Sequence, residues 1–378
     1  MNVYFDNAAT TQVCPEAAAA VARALTEDYG NPSSTHGPGR RAKALLDASR
    51  RQVAGALHAR PEDLLFTSGG TEADNWAMLS GARLMRHRGR HIIVSAVEHD
   101  AVRRPAAELE AQGFSVTWLK PDRSGCIRPE DFEAALREDT ILASVMLVNN
   151  ETGSVNPVPE LAAILRRRRS SALLHTDAVQ AFCKVPFTPS SLGADLITVS
   201  SHKIHGPKGA GALWIRPGVR LQPLICGGGQ EKGLRAGTEA LPAIAGFGAA
   251  AELAAAAQPE FARKAAGLRA RLLEQLKAAL PEAVVIGGSG APHILSLSLP
   301  GYRSEVLMNC LDADGICVSK SSACKKGGRS HVLEAMALPA PVIDGAIRVS
   351  FSRYSTPEEA DYFVQRLAAA AGRLRRAR

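Results

Sequence analysis

Between residues 64 and 200 the chain alternates short apolar runs with amphipathic stretches, and that order admits few folds. β-like runs fall at Leu64–Phe66, Ile92–Ser95, Ser115–Leu119, Ile141–Val148, Leu173–Thr176 and Leu196–Val199. Helical patterns cover residues 16–28, 38–57, 71–87, 100–112, 129–137 and 157–169. Strand, helix, strand in repetition builds βαβ units, which assemble into a mostly parallel sheet with helices on both faces. One more apolar run, Gly211–Ile215, follows a loop rich in Ser, His, Gly and Pro. The fold class expected is α/β.

The order changes in the C-terminal third. An Ala- and Leu-rich helical region over 239–280, broken at Pro259, reads as a connector. After it, short strands at Val284–Ile286, Ile294–Leu299 and Ile347–Phe351 alternate with helices near 304–314, 331–337 and 357–375. The last helix carries Ala360, Phe363, Val364, Leu367, Ala371 and Leu374 in one stripe at helical spacing. This reads as a smaller α+β domain, in keeping with two domains for 378 residues.

Composition narrows the function classes. Met1–Asp6 lacks the basic and long apolar regions of a signal peptide. The apolar stretch Ala249–Ala257 is short and interrupted by Glu252, so it reads as a buried helix and not a membrane span. A cytoplasmic protein is expected. The net charge of +8 sits largely on helical arginines such as Arg166–Arg169, Arg373, Arg375, Arg376 and Arg378. With only 5% aromatics interleaved, these are solvated faces, and no nucleic-acid partner is expected. The seven cysteines, Cys14, Cys126, Cys183, Cys226, Cys310, Cys317 and Cys324, form no C-x-x-C pair. Neither a zinc site nor a disulfide framework follows, and most of them, Cys183 and Cys226 included, read as small packing residues.

Four strand ends carry polar clusters. Thr67–Asn75 joins a strand to a helix through Gly69 and Gly70, so that backbone and Thr71 can face an anion; an ordinary turn with Thr71 as N-cap is the plain alternative. His99 follows Ile92–Ser95, placed either to stack on a flat ring or to cap a helix. Asp177 and Gln180 follow Leu173–Thr176, and an Asp there can hold a protonated ring nitrogen, cap a helix or bind a metal. No His or carboxylate cluster near it favours a metal. Ser200–Gly209 holds Lys203 between two apolar runs, where it can serve as a Schiff-base amine or lie in a solvated loop. Ligands bind at the carboxyl ends of strands in open α/β sheets. An anion cradle, a ring stacker, a ring-nitrogen partner and an amine together meet the needs of pyridoxal 5'-phosphate.

These motifs, with Tyr4–Thr11, Gly30–Ser34, Val148–Gly153, Gly227–Glu231, Arg235–Thr238, Ser321–Cys324 and Ile347–Ser350, make the chain resemble the NifS/IscS-type cysteine desulfurases almost end to end. That group belongs to the class V aminotransferases, with the fold type I of pyridoxal-phosphate enzymes. The resemblance implies a large pyridoxal-phosphate-binding domain over 15–255, and a small α+β domain made of 1–14 and 256–378. It implies that Lys203 forms the imine with the cofactor and moves protons, that His99 stacks on the ring, and that Asp177 pairs with the ring nitrogen. Gln180 and Asn150 would address the ring oxygen, and Gly70, Thr71, Ser200 and His202 the phosphate and its surroundings. Thr238 would reach the phosphate site of a second copy, which implies a homodimer. Arg348, with Asn150 nearby, would bind the carboxylate of L-cysteine.

Cys324 would be the second nucleophile, taking sulfur as a persulfide and leaving L-alanine. Its segment, Ser319–Arg329, is polar, Gly-containing and lysine-rich, which favours motion and a thiolate. Two departures bear on the partner. The segment between Cys324 and Val332 is about two residues shorter than in the housekeeping members, and Lys325–Gly328 replaces their usual Thr-Ser continuation. The chain also stops soon after its last helix, without the tail those members use to dock an iron–sulfur scaffold protein. The sulfur acceptor, for iron–sulfur clusters or for thiolation, thus stays open. Selenocysteine lyase or another class V lyase is the sibling reading, and a cofactor-free sulfur-transfer scaffold the reading from another class.

Overall fold

A computed structural model describes residues 1–288, 290–320 and 328–374 of the chain. Its centre is a seven-stranded sheet. The strands lie side by side in the order Leu64–Thr67, Gly211–Ile215, Leu196–Ser200, Leu173–Asp177, Thr140–Ser144, His91–Ser95 and Ser115–Leu119. The four pairings from Leu196–Ser200 outward to Ser115–Leu119 are all parallel. Gly211–Ile215 runs antiparallel to both its neighbours. The cause is the connection Ser201–Ala210, which falls short of the dozen or so residues a parallel crossover needs. Interior strands are buried along their whole length, as helices on both faces require. The edge strand Ser115–Leu119 alone among the parallel set starts exposed.

A second sheet is antiparallel, in the order Ser319–Lys320, Ala346–Ser350, Ile294–Ser298 and Val284–Ile286. The N-terminal strand Val3–Tyr4 pairs with Ile316–Cys317. Val3 and Phe5 pack into an apolar cluster with Leu297, Val349, Phe351 and Phe363. There the ring of Phe5 meets that of Phe351 edge-on, with centroids 5.3 Å apart. This packing fixes the direction in which residues 6–11 leave the strand, and those residues return below at the site.

The structure departs from the sequence reading in three places. Pro259 does not break its helix, which runs unbroken over Leu241–Ala279. A mid-helix proline removes one backbone donor and crowds the preceding turn. Here the helix packs along Pro15–Thr26, Gly37–Ala56 and Pro357–Arg373, and that burial outweighs a local loss. The helix is long and apolar enough to cross a membrane by length and composition, yet half of its most apolar stretch is buried within the fold. Second, the strand expected to reach Val148 ends at Ser144. Buried side chains take over the backbone of Met146: the Glu98 carboxyl accepts its N–H, and Asn156 Nδ2 donates to its carbonyl at 2.8 Å. Third, only Cys14 and Cys183 among the described cysteines are buried; Cys126 and Cys310 are half-buried, and Cys226 and Cys317 are exposed. Cys226 lies in the Gly-rich loop that precedes Gly227, where no core reaches it, so it is not a packing residue.

Candidate active site

The carboxyl ends of the parallel strands open into a cavity of about 310 Å³. Its walls hold Gly70, Thr71, His99, Asn150, Asp177, Gln180, Ser200, His202, Lys203 and Arg348, which the sequence spreads over residues 70–348.

One wall is the start of the helix Gly70–Met85. Gly69 precedes it with φ 155° and ψ 179°, and no side chain caps the helix. Thr71 is therefore not the N-cap; it stands inside the first turn and lines the cavity. A Cβ on Gly70 would come within 3.0 Å of Val179 Cγ2 and 3.7 Å of Ser200 Cβ, so glycine lets the turn close against those residues. First-turn N–H groups and the helix dipole favour an anion here.

His99 caps a helix and also lines the cavity. Its Nδ1 accepts the Ala101 N–H at 3.1 Å and so caps the helix Asp100–Ala111. That bond leaves Nε2 to carry the ring proton while the ring itself lines the cavity. Asn149 shapes the opposite turn. Its Oδ1 accepts the N–H groups of Glu151 and Thr152 at 2.9 Å each, and its Nδ2 donates to Val97 O at 2.9 Å. Asn150 is thereby presented to the cavity and tied to the His99 loop.

Asp177 ends the strand Leu173–Asp177, and its Oδ1 accepts the Val179 N–H at 2.8 Å. Burial, and then the carboxyl of Asp74, push the Asp177 pKa up. A cationic ring N–H placed against it would restore the charge that burial opposes. Asp74 was not singled out from the sequence. It sits one helical turn beyond Thr71, on the face that meets the sheet, and burial raises its pKa to about 8.

The amine stands across from these carboxyls. Lys203 closes a short 3₁₀ turn, Ser201–Lys203, directly after the strand Leu196–Ser200. Its Nζ donates to the carbonyls of Ala8 at 2.8 Å and Ala9 at 2.6 Å. Gln180 Nε2 donates to the same Ala8 carbonyl at 2.8 Å. His202 Nδ1 lies 3.2 Å from Thr10 Oγ1, and burial, with Lys203 beside it, holds the His202 pKa down at about 3. The ring of His202 is thus neutral. Residues 8–10 come from the N-terminal segment steered by Phe5.

Arg348 arrives from the second sheet. It is 2% exposed, and its Nη1 donates to Asn150 O and its Nη2 to Asp6 Oδ1, each at 2.8 Å. Among the described residues, one that the sequence designated is not brought to the cavity. Thr238 is exposed on the surface. Cys324 lies outside the described residues.

Two polar atoms at the cavity wall, Ser200 Oγ and Gln180 Oε1, are buried without a hydrogen-bond partner. Together with the buried Asp177 carboxyl and the open first turn at Gly70, they suit a ring bearing a protonated nitrogen and a phosphate. The residues present fit pyridoxal phosphate.

Such a site on such a fold defines a pyridoxal-phosphate enzyme of fold type I, and residues 3–363 match the family described as aminotransferase class V. The chain belongs to that family, whose members depend on pyridoxal phosphate. A relative named cysteine desulfurase IscS, from Methanosarcina thermophila, is 42% identical over 363 residues, covering 95% of this chain and 89% of the relative. Cysteine desulfurase 2 of Trichormus variabilis is 43% identical over 377 residues, covering 99% and 94%. Among solved structures, a NifS-like protein superposes with a TM-score of 0.94 at 38% identity, covering 99% of this chain and all (100%) of that one. SspA in complex with cysteine superposes with a TM-score of 0.81 at 30% identity, covering 94% and 100%.

Proposed function

We propose that this protein is an L-cysteine desulfurase, which converts L-cysteine and a protein thiol into L-alanine and a protein persulfide on Cys324. The observation that carries the reading is the meeting of an amine, a buried carboxyl and a buried guanidinium, Lys203, Asp177 and Arg348, around one cavity. The names of the relatives support the substrate: two are cysteine desulfurases, and one solved neighbour was captured with cysteine.

Pyridoxal phosphate, bound through Lys203, would supply an electron sink for the substrate's Cα bonds. The chain's own groups set the rest. Gly70, Thr71, Ser200 and His202 would hold the phosphate end, Asp177 the ring nitrogen, and Gln180 with Asn150 the ring oxygen. His99 would cover one face of the ring, its Nδ1 already committed to the Ala101 N–H. The Arg348 guanidinium would bind the substrate carboxylate and so fix the Cα near Lys203 Nζ, which moves the proton on and off that carbon. The Cys324 thiolate would then attack the substrate sulfur. An S–S bond forms, the C–S bond breaks, and its electron pair stays with the carbon that becomes the alanine methyl after protonation. Thr238 would complete the phosphate site of a second copy in a homodimer, a reading that its exposure on the surface supports. An iron–sulfur scaffold or a thiolation protein would take the sulfur onward.

The test is alanine release from L-cysteine by the cofactor-loaded protein, compared with Cys324→Ala and Lys203→Ala. Both variants are expected to lose it. Undiminished alanine release without Cys324 would remove its assigned role.

A further inference from the structure

Lys203 also lines a second and much smaller cavity of about 30 Å³. Lys184 and Lys203 both line it, beside Cys183, His205, Phe351 and Arg353. Lys184 enters the interior from the turn that follows Gln180, where Phe182 N–H bonds to Ala178 O at 2.8 Å and Lys184 N–H to Ala181 O at 2.9 Å. Cys183 takes φ 56° in that turn, a left-handed conformation that side chains other than glycine rarely adopt. The strained backbone aims the next side chain inward. Lys184 is 7% exposed, and no carboxylate lies within ion-pair reach of it among the described residues.

A lysine buried without a counter-ion is unusual enough to require a reason. Charged and titratable groups surround it from every side: Lys203, His202 and His205 from the loop after Leu196–Ser200, Arg348 and Arg353 from the second sheet's central strand and the residues after it, His293 from the start of Ile294–Ser298, and Cys183 from its own turn. Resting on the reading of Lys203 as the cofactor-linked amine, we propose that Lys184 tunes the proton affinity of Lys203, with positive charge on either amine opposing charge on the other. Burial first, then Lys203, lower the Lys184 pKa to about 7. A charge on Lys184 in turn opposes protonation of Lys203, which keeps that amine available as a base when it is released from the cofactor. Lys184 acts through Lys203; it is a positioning residue in the electrostatic sense.

The test is a pH titration of the visible absorbance of the cofactor bound to Lys203 in the holoenzyme. Lys184→Met, which keeps the length and removes the charge, is expected to raise the midpoint by about one pH unit. Lys184→Arg, which keeps the charge, is expected not to raise it. An unmoved midpoint in the methionine variant overturns the inference. Should that variant fail to fold, the arginine variant decides: an upward shift there contradicts a charge effect, and a midpoint held or lowered supports it. A wild-type protein that shows no such absorbance with pyridoxal phosphate present would defeat the proposed function instead, so the two failures are distinct.

Discussion

Arg348→Lys is the substitution that tests the proposed substrate site most sharply. The guanidinium is 2% exposed and already pinned on two sides, by Asn150 O and Asp6 Oδ1 at 2.8 Å. Its Nε is buried without a partner. A planar fork so held can meet a carboxylate through two parallel bonds, whereas lysine offers a point charge and keeps one of them. A hydrogen bond to a charged group contributes about 1.5–3 kcal/mol. Losing one therefore lowers kcat/KM by about 10- to 100-fold, since about 1.4 kcal/mol corresponds to tenfold. The assay is initial-rate alanine formation over a range of L-cysteine concentrations, with the loss expected mainly in KM. Asp6→Asn, which leaves Arg348 charged but loosens its Nη2, is expected to give a smaller loss of the same kind. If kcat/KM for Arg348→Lys stays within about twofold of wild type, the carboxylate is not bound by this fork and the reasoning fails.

Two more expectations follow from the cavity walls. Gly70→Ala places a Cβ at 3.0 Å from Val179 Cγ2 on the turn assigned to the phosphate. Overpacking of that kind costs about 1–3 kcal/mol, so the dissociation constant for pyridoxal phosphate, read by absorbance titration, is expected to rise roughly tenfold. Asp74 titrates at about 8 in the folded chain against an ordinary value of 3.8. The folded form then binds more protons than the unfolded one across that window, and stability falls as pH rises through it. Asp74→Asn removes this loss, so the cofactor-free variant is expected to gain in Tm over wild type at pH 9 and to show little gain at pH 4; an equal shift at both ends would contradict the assignment.

Much of this was legible because side-chain chemistry repeats at strand ends. Leu64–Phe66, Leu173–Thr176 and Leu196–Val199 are apolar and short, and the polar residues after them, Gly70, Asp177 and Lys203, can only fall where a parallel sheet meets solvent. Contacts made by backbone leave no such mark. The carbonyls of Ala8 and Ala9 hold Lys203, yet alanine says nothing of it. The end of a strand at Ser144 depends on a Glu98 carboxyl taken from a distant loop, which no local pattern encodes. Pro259 misled because local propensity speaks for a break, while the helix is held by neighbours remote in sequence. Cys226 misled for the opposite reason: an apolar residue type stands in a Gly-rich loop that nothing covers.

The central claim is that Lys203 and Cys324 act on one substrate in one cavity. Peptide mass spectrometry of the cofactor-loaded protein after brief exposure to L-cysteine addresses it directly. The account predicts one added sulfur on the peptide holding Cys324, none on those holding Cys183 or Cys226, and none anywhere in Lys203→Ala. Sulfur on another cysteine, or on Cys324 without Lys203, would contradict it.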